Sequence, residues 1–173
     1  YASDTLNIAP SATVSTSFVS AWEKLGAVND GYDPAGSADY THGAYGNWNG
    51  EADYGKFNWV EYTWSMAVKL SSFSVYWWDD GMGIDQPTEA YFVFWNGIAW
   101  ADTVMAGTAL DCYNTGKLTV RTNKVRLYMK SLMATGILEW KIFTAITAPC
   151  TPTVITPLVQ AGDQPVQQSN IVN

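Results

Sequence analysis

The sequence predicts an all-β fold, a single β-sandwich domain of jelly-roll type. Three observations carry that reading. No segment sustains an apolar period of 3.6 residues between helix caps. Alternation at period two recurs instead. Turn residues separate the alternating runs, which amount to at least seven short strands. Many short strands with regular turns pack as two sheets around one core.

The strands follow in order. Residues 13–18, Thr-Val-Ser-Thr-Ser-Phe, are β-prone and polar on one side. Val60, Tyr62 and Trp64 alternate with Glu61 and Thr63. Phe73, Val75 and Trp77 share one strand face and are assigned to the core, while Tyr76 and Trp78 fall on the other. Phe92 and Phe94 alternate with Tyr91, Val93 and Trp95 before the turn Asn96-Gly97. Leu118 and Val120 follow a predicted turn at Asn114-Thr115-Gly116. Val125, Leu127 and Met129 alternate with Arg126, Tyr128 and Lys130, and Trp140 and Ile142 with Glu139, Lys141 and Phe143. Arg126 and Tyr128 thus lie on a solvent-side strand face.

Between Phe18 and Phe57 alternation is weak. A long loop inside a compact domain is usually functional, and this one holds Trp22, His42, Tyr45 and Trp48. Residues 1–144 are assigned to the sandwich. Residues 145–173 change character: they carry four of the seven prolines, no Lys or Arg, and Asp163 as their one acid. They read as a Pro/Thr-rich linker leading to a following module, or as a disordered tail. The absence of an initial Met and of a signal pattern suggests a piece excised from a longer protein.

Composition narrows the partners. Lys and Arg number 9 against 16 Asp and Glu, a net charge of −7. That argues against nucleic acid and anionic membrane, which both require a cationic face. No apolar run approaches the ~20 residues of a membrane helix. Nine tryptophans exceed what one core of this size needs, so some are expected at the surface, where exposed aromatics usually bind. Cys112 and Cys150 are the only cysteines, and a disulfide and two free thiols are equally compatible with them.

The stretch Tyr76-Trp77-Trp78-Asp79-Asp80-Gly81 ends a strand in indoles, then carboxylates, then a turn. A flat aromatic beside paired carboxylates at a loop mouth suits a sugar. The apolar face of a pyranose stacks on the ring, and carboxylates accept hydrogen bonds from hydroxyls. A core Trp pair followed by an ordinary acidic turn is the plainer alternative.

The order of several motifs resembles the discoidin-like (coagulation factor type C, galactose-binding-like) family. They are Leu6-Asn7-Ile8-Ala9-Pro10, Ala27-Val28-Asn29-Asp30-Gly31, Trp59-Val60-Glu61-Tyr62-Thr63-Trp64, Phe73-Ser74-Val75-Tyr76-Trp77-Trp78, Phe92-Val93-Phe94-Trp95-Asn96-Gly97, Lys124-Val125-Arg126-Leu127 and Gly136-Ile137-Leu138-Glu139-Trp140. Ser37-Ala38-Asp39-Tyr40-Thr41-His42-Gly43 and the loop after Trp78 are similar to a bacterial subset that accompanies polysaccharide-degrading enzymes. The resemblance implies a secreted or cell-surface bacterial carbohydrate-binding module. It would attach covalently to a catalytic module and recognise plant or microbial polysaccharide, of xylan or arabinan type. It also implies a structural calcium, with Asp30 and Glu139 as ligands and Thr41 as a weaker third. Calcium takes six to eight oxygens, carboxylates and carbonyls mixed, which agrees in kind.

The residues bear on three functions. Non-catalytic glycan binding would use Trp22, Tyr45, Trp48 and Trp78 as stacking faces and Asp79 and Asp80 to orient hydroxyls. Glycoside hydrolysis by Asp79 and Asp80 is disfavoured, since adjacent residues rarely flank a bond at the ~5 to ~9 Å such chemistry needs. The lone His42 supplies no Ser-His-Asp set, and the expectation is that the chain is not an enzyme. Cell-surface or protein adhesion normally uses apolar loop spikes, and Met82 alone fits that.

Overall fold

A computed structural model describes residues 4–52 and 54–146. The calls on Cys150 and on the tail beyond residue 146 lie outside these residues. Among the described residues nine strands run in the order β1 (Thr5–Asn7), β2 (Thr13–Thr16), β3 (Tyr45–Gly46), β4 (Asn58–Trp78), β5 (Glu89–Trp95), β6 (Trp100–Met105), β7 (Asn114–Lys117), β8 (Arg121–Lys130) and β9 (Gly136–Ala145). Two short 3-10 turns, Ala9–Ser11 and Leu25–Asn29, are the helical elements among the described residues. None is long or apolar enough to cross a membrane. The jelly-roll sandwich expected from the alternation is what forms.

The two alternating runs around Tyr62 and Val75 belong to one strand of 21 residues. Its first half pairs with β2 and β8, and its second half with β9 and β7. Register with β8 slips between Thr63 and Val68, where β4 passes from one sheet to the other. One sheet is therefore β2–β4–β8–β5–β6. The other is built on β9, the second half of β4 and β7, with β1 and β3 on the far side of β9.

The inner faces meet in one aromatic core. Tyr62 stacks on Trp140 at 3.9 Å between ring centroids, and Phe73 reaches Phe92 at 4.4 Å. Buried indoles need a polar partner. Trp64 Nε1 donates to the Ile8 carbonyl at 3.0 Å and Trp77 Nε1 to the Gly107 carbonyl at 2.8 Å. Trp140 Nε1 has no partner among the described residues, a cost of about 1–3 kcal/mol.

One strand was misplaced by sequence. Asn114, Thr115 and Gly116, expected to turn, form β7, and residues 118–120 lie outside the strands. The Asn114 side chain meets its hydrogen-bonding needs locally, accepting from the Ala109 amide and donating to the Ala109 carbonyl. Gly116 is required here by space: a Cβ would come 2.4 Å from the Phe73 ring.

The second sheet is covered on both faces. Tyr76 and Trp78, assigned by alternation to the outer side, are buried there with Ala44, Ile84, Ala134 and Leu138 in a small second core.

Candidate functional site

At one end of the sandwich β4 ends at Trp78 and β9 begins at Gly136. The loops 79–88 and 131–135 meet the long segment 17–57 there, around an open cleft of about 640 Å³. Its walls include Trp22, Glu23, Trp48, Tyr54, Asp80 and Met82.

Trp22 is 69% exposed and Trp48 is half-buried, seated against the second core. Their rings lie 5.3 Å apart at 56°, an open V. Tyr40 fixes the backbone behind Trp22, its hydroxyl donating to the Trp22 carbonyl at 3.0 Å. Glu23 places a buried Oε2 in this region with no hydrogen-bond partner among the described residues.

Asp80 organises its own loop. Its Oδ1 accepts from the amides of Met82, Gly83 and Ile84 at 2.8, 2.9 and 2.9 Å. The short carboxylate side chain thereby does the work of a capping turn. Asp79 accepts from the Gly81 amide at 2.8 Å and lines a neighbouring hollow with Ser37 and Asp111. Asp80 borders both hollows, and it alone of the pair reaches the cleft.

Three expected site residues are corrected by burial or placement. Tyr45 is fully buried; β3 pairs it with Ile137, and its hydroxyl donates to the Phe18 carbonyl at 2.9 Å. Trp78 is 6% exposed, and its ring lies under Tyr40 at 5.1 Å and 29°. The loop over the sheet takes both out of water. Gly136 makes this packing tolerable, since a Cβ there would meet Trp78 at 2.7 Å and the Tyr45 carbonyl at 2.9 Å. Asp79 is the third, displaced to the neighbouring hollow. Trp22, Trp48 and Asp80 remain together. Glu23, Tyr54 and Met133 join them unforeseen, because the segments that supply them have no periodicity to read. His42 stacks on Tyr32 at 3.8 Å and 8°, and is not among the cleft residues.

The expected metal ligands are partly assembled. Glu139 is fully buried beneath segment 30–33. Its Oε2 accepts from the Gly31 amide at 3.2 Å, and its Oε1 has no partner among the described residues. Burial pushes its pKa up to about 8; Asp30 and Asp33 push the same way, against the Gly31 amide and Lys141. A buried carboxyl with an orphaned oxygen and acidic neighbours fits a hard cation in the chemistry of its donors. Asp30 Oδ1 caps the Tyr32 amide at 2.9 Å, and Asp33 is paired with Lys141. Thr41 is tied instead to Asp39, which accepts from its amide at 3.0 Å. No cluster of three or more His, Cys, Asp or Glu is arranged for a metal among the described residues.

No protein-family model matches the sequence, and no curated protein matches it. Solved structures do match the fold. A family 32 carbohydrate-binding module from C. perfringens NanJ, in complex with galactose, aligns with TM-score 0.64 and 12% identity, over 81% of this chain and 99% of that one. A Streptococcus pneumoniae fucose-binding module gives 0.66 and 14%, over 82% and 99%. Chitosan-binding module 1 of a Paenibacillus sp. IK-5 chitosanase/glucanase gives 0.56 and 11%, over 79% and 98%. The chain has their galactose-binding-like fold. At such identities the likeness concerns architecture; what the rim cleft does rests on its own residues.

Proposed function

We propose that this protein is a non-catalytic carbohydrate-binding module whose site is the rim cleft. The observation that carries the reading is the exposed Trp22 set against Trp48, with Glu23 and Asp80 beside them. Two indoles at an angle offer stacking faces to a sugar ring, and the carboxylates accept its hydroxyls. The shared fold with modules described as binding galactose, fucose and chitosan supports it. Hydrolysis by Asp79 and Asp80 is disfavoured because Asp79 does not line the cleft, and because loop amides already occupy Asp79 Oδ1 and, three of them, Asp80 Oδ1.

The finer reading is a secreted or cell-surface bacterial module that holds an attached glycoside hydrolase on xylan or arabinan of plant walls. Modest affinity suffices for that role, since attachment supplies avidity. Calcium, held by Glu139 with Asp30, would neutralise the buried carboxyl and pin segment 30–33 to the sheet. A glycan array with the isolated chain tests the reading, paired with a sugar-release assay on xylan and arabinan. Binding without release is expected; release of sugar would overturn it.

One observation favours a different sugar. The cleft is lined by two carboxylates and by no Lys, Arg or His among the described residues. That suits a cationic amino-sugar polymer, whose binding would weaken with added salt while xylan binding would not. Adhesion to a protein is the remaining alternative, favoured by Met82, 83% exposed at the cleft wall. An array on which no glycan binds would leave that one standing.

A further inference from the structure

The outer face of the β2–β4–β8–β5–β6 sheet carries a second group of aromatics, apart from the rim. Register places Trp59 opposite Tyr128, Tyr128 opposite Tyr91, and Tyr91 opposite Met105. Four neighbouring strands thus present Trp, Tyr, Tyr and Met in one row, about 14 Å long at three strand spacings of about 4.8 Å. Tyr91 and Tyr128 stack at 5.3 Å and 20°. Phe57 stands edge-on to both, three residues after Tyr54 of the rim cleft. Trp95 and Trp100 pair at 5.6 Å a few residues along the same face.

Arg126 holds these rings. Its guanidinium carbon lies 3.9 Å from the Trp59 ring and 4.4 Å from the Trp100 ring. Its Nη2 reaches Glu61 at 2.7 Å. The pair is mostly covered, with side chains 18% and 9% exposed, so it braces the surface and offers little charge to a partner.

Charge decides what fits. The chain as a whole is at −7, yet this face carries its charges largely in pairs, Arg126 with Glu61 and Lys130 with Glu89 at 2.9 Å. Lys124 lies against Trp95. A near-neutral aromatic face gives no purchase to nucleic acid or to a strongly charged peptide. A second copy of the chain would bring another −7 to the contact. An uncharged glycan chain has the complementary character, with apolar ring faces for the aromatics and hydroxyl edges for the Tyr128 and Tyr91 phenols.

We propose that this sheet face is a second glycan-binding surface, taking a neutral oligosaccharide laid across the strands, distinct from the rim cleft. The test is amide chemical-shift mapping of the labelled protein with xylohexaose and with cellohexaose, each set against its monomer. With at least one hexasaccharide, shifts are expected in residues 89–95 and 126–130, at least tenfold weaker with the monomer. They should persist in Trp22→Ala and be lost in Tyr91→Ala, which keeps any rim shifts. Rim shifts without sheet-face shifts in the unaltered protein would overturn this proposal and leave the rim reading intact. Silence of the sheet face to both hexasaccharides at millimolar concentration would also overturn it. So would sheet-face shifts that follow protein concentration alone, with a dimer in sedimentation velocity.

Discussion

The two sheets treat their outer faces differently. On the β9 sheet, the long segment 17–57 folds across, and Tyr76, Trp78 and Glu139 end in the interior. On the β8 sheet, Trp59, Tyr91, Trp95 and Tyr128 stay half-exposed, with Arg126 braced between indoles. The sequence pattern of the two faces is alike, aromatic residues alternating with core ones. What separates them is whether a loop has been spent as a cover. An aromatic under the cover contributes to stability, and one outside it, or at the cover's rim as Trp22 is, remains available for binding.

Truncation should expose that contrast. Trp78→Ala removes a buried indole and is expected to cost about 3–5 kcal/mol in urea unfolding. A loss below about 1 kcal/mol would mean that the cover does not seal. Calcium should come next, acting on the covered face. At a hundredfold excess over its Kd it adds about 2.7 kcal/mol. A chelator should lower the Tm of the purified protein, and Glu139→Gln should abolish the difference. An identical Tm with and without chelator would count against the Glu139 and Asp30 assignment.

Gly136→Ala presses a methyl against Trp78 and the Tyr45 carbonyl, and should destabilise by about 1–3 kcal/mol. On the uncovered face, Tyr91→Ala should cost only about 1 kcal/mol, because its ring is already half in water. Should Tyr91→Ala prove as damaging as Trp78→Ala, the distinction between the two faces fails.

Much of this was legible in the sequence. Alternation identified the sandwich and the inner residues Phe73, Val75, Trp77, Val125, Leu127 and Trp140. It also assigned Trp78 to the opposite face, correctly. Alternation reports which side of a strand a residue takes, and it is blind to what lies over that side. Trp78 and Tyr45 were therefore read as surface when a loop encloses them. Trp22 and Trp48 were found by composition, as aromatics in a segment without period. Glu23 and Tyr54 lie in the same segment and carry no such signal, since one acid or phenol in a loop is ordinary. The turn expected at Asn114 failed because its side-chain bonds to Ala109 let a turn-prone residue sit in a strand.

The central claim is that the rim cleft recognises sugars through Trp22 and Trp48. Isothermal titration of the unaltered chain and of Trp22→Ala tests it most directly, with xylohexaose and with a glucosamine hexamer as ligands. Stability of the variant should stay within about 0.5 kcal/mol of the parent, while binding of the preferred ligand should weaken by about 1–3 kcal/mol. Equal affinity of the two proteins for that ligand would contradict the account.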